Sequence, residues 1–295
     1  MTYTDTIRSA MLFGSALLAA GAASAQTAPT HADVEYARAD GEALLLDLYL
    51  PDERGAPLLV WVHGGAWEFG SKADMPLAAL LPRGYAIASV EFRRASVGRF
   101  PAQVHDIKAA IRYLRAKAAE HGYDAERIAV LGASSGGHLA ALVGVTNGHA
   151  ELEGTLGEHR GESSAVQAAV SFFGASNLTT ILAQSTPLGL RVREPALERL
   201  LGALPDQAPE LAQLASPVFH LDASDPPLLL LHGDQDPQMP INQAHELDGA
   251  YRKLGLDVAL IVVHGAAHGG AAFFDEERLE AVSGFLDRTL RPDRT

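Results

Sequence analysis

The sequence predicts an α/β fold: a mostly parallel, doubly wound sheet with an antiparallel leading edge and helices on both faces. Three observations predict it. Short apolar runs alternate with longer amphipathic stretches along most of the chain. Several of those runs are continuous rather than alternating, as strands buried on both faces are. One run passes through a Gly-Ser-Gly turn directly into a helical pattern. Strands and helices in alternation form a parallel sheet, because each crossover helix returns the chain to the end of the sheet where the previous strand began.

The elements follow in order. Residues 1–25 form a targeting segment: Arg8 and the free amine supply positive charge, residues 10–23 are apolar and small, and Ala23-Ser24-Ala25 fits a cleavage site. The uncharged stretch falls short of the ~20 residues of a membrane span. The expectation is a cleaved signal peptide and an exported protein, periplasmic or secreted, with no membrane span after cleavage. Residues 26–32 read as a flexible leader, and 33–292 as a single domain.

Strands are predicted over 43–50, 57–62, 85–92, 127–131, 165–173, 227–231 and 258–263. No helix separates the first two, so they are expected to pair as an antiparallel hairpin at the leading edge. Residues 101–120 place Val104, Ile107, Ala110, Ile111 and Leu114 on one helical stripe, with Pro at its start. Further helices are predicted over 135–145, 242–254 and 276–290. Two stretches break the rhythm and are expected as lid insertions: the Gly- and acid-rich 147–164, and 175–216 with short helices at 195–204 and 208–215.

Composition narrows the function classes. The chain has 295 residues and no cysteine. A disulfide framework, a cysteine nucleophile and a thiolate metal site are therefore excluded. At this length a core needs no covalent staples. Lys and Arg number 23 and Asp and Glu 36, a net charge of −13. Nucleic acid is not an expected partner, since phosphate binding needs a basic face.

Chemistry concentrates at Gly132-Ala133-Ser134-Ser135-Gly136, between the strand 127–131 and a helix. At such a turn the serine projects above the sheet from a strained backbone, and flanking glycines let neighbouring elements pass close by. The helix N-terminus offers backbone N–H groups to a developing anion. A serine hydroxyl needs a base, and the base needs an orienting acid.

Both follow downstream, in the order acid then histidine, on loops after strands. The acid loop holds Asp234 and Asp236; Asp234 suits a turn cap, whereas Asp236 reaches further, so Asp236 is assigned. The base loop holds His264 and His268. His264 ends its strand and suits a hydrogen-bonded structural role, whereas His268 sits in a small-residue loop able to reach Ser134, so His268 is assigned. Their H-x-x-x-H spacing does not make a zinc site, because the pair is neither H-E-x-x-H nor helical. His138, in the helix after the turn, reads as a packing residue.

Acyl transfer builds charge on a carbonyl oxygen, which preorganised backbone donors stabilise. His63-Gly64-Gly65-Ala66-Trp67 follows an early strand, where such donors belong. Gly65 and Ala66 are assigned with Ser135 as the oxyanion hole, and His63 as the residue that holds the loop. Trp67 fits either the substrate pocket or the core.

With these residues in place the chain resembles the α/β-hydrolase superfamily. More narrowly, it resembles the secreted esterase/lipase group related to hormone-sensitive lipase and bacterial feruloyl/acetyl esterases. The blocks carrying the resemblance are HGGAWEFGSK (63–72), FPAQVHDIKAAIRYLR (100–115), VLGASSGGHLAAL (130–142), LGEHRGESSAVQAAVSFFGASNL (156–178), SPVFHLDASDPPLLLLHGDQDP (216–237) and GAAHGG (265–270). It implies a carboxylic-ester hydrolase using Ser134, Asp236 and His268, with no cofactor and a small-molecule or carbohydrate-linked ester as substrate. Asn177 stands where such sequences often have Asp, and Ala66 where the lipase-like branch has a third glycine.

H-G-G-x-W also resembles kynurenine formamidases, cytosolic enzymes, and the targeting segment argues against that activity. A prolyl-oligopeptidase-type peptidase would need a propeller domain for which the chain is too short. A non-catalytic binding protein on this fold would be expected to lack a triad member, and all three candidates are present. Residues 175–216 are broken by Pro187, Pro195, Pro205 and Pro209 and carry Arg191, Arg193, Glu194, Glu198 and Arg199. That is not the broad apolar surface of a lipase, so short acyl groups, acetyl before butyryl, are expected.

Overall fold

A computed structural model describes residues 27–292. The predicted signal peptide, 1–25, lies outside the described residues. Eight strands form one sheet: β1 (His31–Ala39), β2 (Glu42–Tyr49), β3 (Ala56–Val62), β4 (Ala86–Val90), β5 (Tyr123–Ala133), β6 (Ala168–Phe172), β7 (Leu228–Gly233) and β8 (Val258–Val263). Their order is β1-β2-β4-β3-β5-β6-β7-β8. From β4 onward every pairing is parallel, and β1–β2 and β2–β4 are antiparallel. The architecture is the α/β-hydrolase fold.

The leading edge differs from expectation in one respect. The hairpin is β1–β2, not β2–β3, and β1 starts inside the stretch read as a leader. Asp40 and Gly41 make its turn, both at positive φ (51° and 88°), the geometry that matches the twist of paired strands. Strand β1 escapes a hydropathy reading because it lies at the sheet edge. His31, Ala32, Asp33, Glu35 and Arg38 face solvent, and only Tyr36, Ala37 and Ala39 are buried. Charged edges of this kind discourage pairing with other chains.

The helices are α1 (Ala102–His121), α2 (Ser135–Gly144), α3 (Ala150–Glu153), α4 (Ile181–Gln184), α5 (Pro187–Leu201), α6 (Pro209–Leu214), α7 (Asn242–Lys253) and α8 (Glu276–Leu290). The sheet separates two cores, as the two-residue period of its strands requires. Leu58, Val60 and Val62 of β3 face α1 and α2, while Leu59 and Trp61 join the core under α8. Among the described residues no helix is long and apolar enough to cross a membrane.

Helix α5 begins earlier than predicted and runs through Pro195. The Thr186 side chain caps it by accepting from the Gly189 N–H at 3.0 Å, and Pro187 occupies the first turn. A cap of this type stabilises by about 1 kcal/mol.

The two expected lids part company. Segment 147–164 packs against α1. Helix α2 has 10 residues and carries the chain about 15 Å away from the serine before the segment starts. There Glu153 receives Lys108 at 3.2 Å and also pairs with Arg112, while Arg112 donates to the Leu156 carbonyl at 3.0 Å. Basic side chains of α1 hold this acid-rich segment on the helix flank. Segment 175–216 leaves β6 at its carboxyl end and stays there, touching the loops after β4 and β7: the Phe100 N–H donates to Leu200 at 2.9 Å, and the Thr186 hydroxyl to Pro237 at 2.9 Å.

Candidate active site

Ser134 stands between β5 and α2 at φ 56° and ψ −119°. A non-glycine residue held there costs on the order of 1–3 kcal/mol, and the surrounding backbone enforces it. The Ser134 N–H donates to Phe172 at 2.9 Å. A Cβ on Gly132 would lie 2.3 Å from the Gly136 carbonyl oxygen, and one on Gly136 would lie 2.1 Å from that of Val62. Only glycine at both positions lets α2 leave the sheet so steeply.

The structure brings His268 and Asp236 to this serine. Ser134 Oγ lies 2.8 Å from His268 Nε2, and His268 Nδ1 lies 2.6 Å from Asp236 Oδ2. The other carboxylate oxygen accepts from the backbone N–H groups of Gln238 and Met239, each at 2.8 Å. With Nδ1–H donating to Asp236, Nε2 is left as the acceptor for the serine proton. A hydroxyl joined in this way to an imidazole and a buried carboxylate becomes a nucleophile.

The electrostatics fit that order. Burial pushes the His268 imidazole below its usual value, opposed by the Asp236 hydrogen bond and charge and reinforced by Arg193 and His232. Burial would raise Asp236, but the nearby His232, the His268 hydrogen bond and charge, and the Met239 N–H outweigh it. The carboxyl is held well below the usual carboxylate range and is ionised at neutral pH.

The rejected alternatives form a separate pair. His264 Nδ1 lies 2.8 Å from Asp234 Oδ2, and Asp234 Oδ1 caps the Gly265 N–H at 2.8 Å. His264 is thus hydrogen-bonded after its strand, as expected, on a side chain 83% exposed.

The 63–72 loop turns sharply beside Ser134. A Cβ on Gly64 would lie 3.4 Å from the serine Cβ. Gly65, Ala66 and Trp67 all have positive φ, 118°, 54° and 59°. The turn closes on the Gly65 carbonyl, which accepts from Glu68 and Phe69 at 3.0 and 2.8 Å. The N–H groups of Gly65 and Ala66 donate to no group among the described residues. Ser135 is the first residue of α2, where N–H groups lack helical partners. His63 stacks on Phe92 at 4.5 Å and lies 3.5 Å from Glu91.

Trp67 belongs to the core, not to an open pocket wall. It is fully buried, and its indole N–H donates to His138 Nδ1 at 3.1 Å. His138 Nε2–H donates in turn to Ala215 at 2.6 Å, and burial lowers its pKa to about 4. The pair ties the 63–72 loop to α2 and to the 175–216 segment.

Three contributors are not singled out by sequence reasoning. His232, 1% exposed, donates to the Met239 carbonyl at 3.0 Å and lies 3.5 Å from Asp236. Its place in His232-Gly233-Asp234-Gln235-Asp236 is a usable signal, because it starts the acid loop. Phe173 packs its ring edge-on to His268 at 5.0 Å. Arg193 is buried beside Trp67. Phe173 lies in the 156–178 block without being marked there as a site residue, and Arg193 stands in none of the quoted blocks.

Comparisons with known proteins find esterases among the relatives of this chain. The BD-FAE family model matches residues 46–251. The chain is 32% identical to Esterase LipC of Mycobacterium tuberculosis over 237 residues, 78% of this chain and 58% of LipC. It thus spans little more than half the length of that curated relative. A carbohydrate esterase from gut microbiota, solved in truncated form, superposes with TM-score 0.81 at 32% identity, covering 90% of this chain and 98% of that one. Esterase 2 of Thermogutta terrifontis, phosphonylated by sarin, gives TM-score 0.76 at 28% identity, over 89% and 96% of the two chains.

Proposed function

The chain belongs to the BD-FAE family, and from that premise we propose that it is a serine esterase removing short acyl groups, acetyl before butyryl, from small-molecule or carbohydrate-linked esters. The observation that carries the reading is the unbroken hydrogen-bond chain from Ser134 through His268 to Asp236. Ser134 Oγ attacks the ester carbonyl while His268 Nε2 takes its proton. The oxyanion lies against the N–H groups of Gly65, Ala66 and Ser135. His268 then protonates the leaving alcohol, and an acyl group remains on Ser134. Water, deprotonated by the same imidazole, attacks that acyl group and frees the acid. Asp236 stays ionised throughout and stabilises the imidazolium.

Three observations support the narrower parts of the reading. The carbohydrate esterase neighbour suggests the alcohol. Segment 175–216 carries charges and is broken by prolines rather than forming one long apolar run. We extend the proposal to export, on the strength of residues 1–25; mature material should begin at Gln26, and recovery of exported protein with Met1 intact would overturn it.

A p-nitrophenyl ester series from acetate to palmitate tests the acyl preference. Each buried methylene is worth roughly 0.8 kcal/mol where a pocket can hold it. The expected kcat/KM is highest at acetate or butyrate and falls beyond. A maximum at octanoate or longer, activation at an oil–water interface, or faster cleavage of an N-formyl arylamine would overturn the reading.

A further inference from the structure

Arg193 is not one of the Ser134–His268–Asp236 residues, yet its surroundings are unusual. It lies on α5 and is 2% exposed. Among the described residues it makes no ion pair, and its Nε has no hydrogen-bond partner. Arginine is almost never fully buried unless paired, because a lone buried charge is costly.

One terminal nitrogen, Nη2, donates to the Gln238 carbonyl at 3.3 Å. On the other side of that peptide the Met239 N–H donates to Asp236 Oδ1 at 2.8 Å. Arg193 therefore fixes the far side of the peptide that holds the acid. The guanidinium carbon also lies 6.0 Å from the Trp67 ring centroid, within reach of a cation–π contact. Trp67 follows Ala66 in the 63–72 loop. Helix α5 approaches the acid loop elsewhere too: a Cβ on Gly189 would lie 3.0 Å from the Pro237 carbonyl oxygen.

We propose that Arg193 is a positioning residue, whose charge faces the His268–Asp236 pair and balances the buried carboxylate, and whose hydrogen bond to Gln238 fixes the acid loop against the 63–72 loop. The proposal rests on Ser134, His268 and Asp236 acting as the triad. Three charged or titratable groups face His268: Asp236 from the acid loop, His232 from β7 and Arg193 from α5. Asp236 favours the imidazolium, and the other two oppose it. Phe173 adds only an apolar ring. Arg193 and the Asp236 carboxylate are both buried, and there a fixed charge acts more strongly than it would in solvent. Burial is the larger cause that keeps the imidazole below its usual value, and the Arg193 charge adds to it against the pull of Asp236.

The test compares Arg193→Gln with Arg193→Lys in the full chain, with folding followed by circular dichroism. Glutamine keeps a donor for Gln238 and loses the charge; lysine keeps the charge. Arg193→Gln should move the acid limb of kcat/KM for p-nitrophenyl acetate upward by about half a pH unit or more, and lower kcat with little change in KM. Arg193→Lys should keep the parent limb. A merely structural role would depress activity at every pH and leave the limb in place. A folded Arg193→Gln with the parent limb, a lysine variant shifted as far as the glutamine one, or a rise in KM alone overturns the proposal. If Arg193→Gln does not fold, adding Asp236→Asn should restore folding by removing the charge that Arg193 balances, and a double variant that stays unfolded overturns it. The triad reading fails by a different sign: a parent enzyme that a serine-directed phosphonate does not label at Ser134.

Discussion

A Cβ on Gly233 would stand 2.3 Å from the carbonyl oxygen of Ala266. The loop carrying Asp236 and the loop carrying His268 thus meet through bare backbone. Gln235 N–H donates across the same junction to Ala266 at 3.0 Å. Gly233→Ala should force the loops apart, destabilising the protein by about 1–3 kcal/mol and lowering kcat about 100-fold through misplacement of acid and base. Gly249, in α7 with nothing within 4 Å of a Cβ, is the control. Its alanine variant should be fully active and about 0.5–1 kcal/mol more stable. Urea melts and steady-state kinetics on both variants decide the matter, and equal activities would contradict the role given to the contact.

The two His–Asp pairs should separate cleanly. Asp236→Asn and His268→Ala should each lower kcat about 10⁴-fold. Asp234→Asn and His264→Ala remove an exposed pair and should change kcat less than about threefold. Loss of turnover in folded His264→Ala, with turnover kept in His268→Ala, would exchange the assignments.

The sequence shows the elbow and the acid and base loops because each needs small residues at fixed places: Gly132 and Gly136 around Ser134, Gly233 before Asp236, Gly269 and Gly270 after His268. Constraints of that kind leave letters in a motif. Strand β1 leaves none, since its exposed face is charged and its pairing to β2 is written only in the Asp40-Gly41 turn. Segment 147–164 looks like a lid in the sequence because glycines and acids mark a loop without saying which end of the sheet it occupies. The Lys108 and Arg112 contacts that place it come from α1, more than thirty residues away in sequence. Arg193 is hidden for the same reason: its partners, Trp67 and Gln238, are brought to it only by the fold.

The acid limb of kcat/KM should lie below the ordinary histidine value of about 6.5. Protonated His268 cannot accept the serine proton, so activity falls as pH drops through its pKa. Burial shifts that pKa downward, ahead of the opposing pull of Asp236, so activity persists into mildly acidic solution. A pH–rate profile measured under subsaturating acetate ester checks this. A limb at pH 7 or above would contradict it.

His138 should make stability pH-dependent on its own. Its pKa is lowered from 6.5 to about 4 in the fully buried site between Trp67 and Ala215. Between these values the unfolded chain binds a proton that the folded chain refuses. Stability is therefore full above about 6.5 and declines as pH falls toward about 4, by on the order of 3 kcal/mol. Urea melts across this range should show the decline, and His138→Gln, though less stable at pH 7, should show a flatter one. Parallel slopes would remove His138 as the cause.

The most direct measurement is covalent labelling of Ser134. The protein is treated with a serine-directed organophosphonate, its residual hydrolysis of p-nitrophenyl acetate is followed, and the modified peptide is mapped by mass spectrometry. The account predicts one adduct per chain, on Ser134, appearing at the rate at which activity disappears, with no adduct and no turnover in Ser134→Ala. An adduct on any other residue that accompanies inactivation, or hydrolysis that survives in Ser134→Ala, would contradict it.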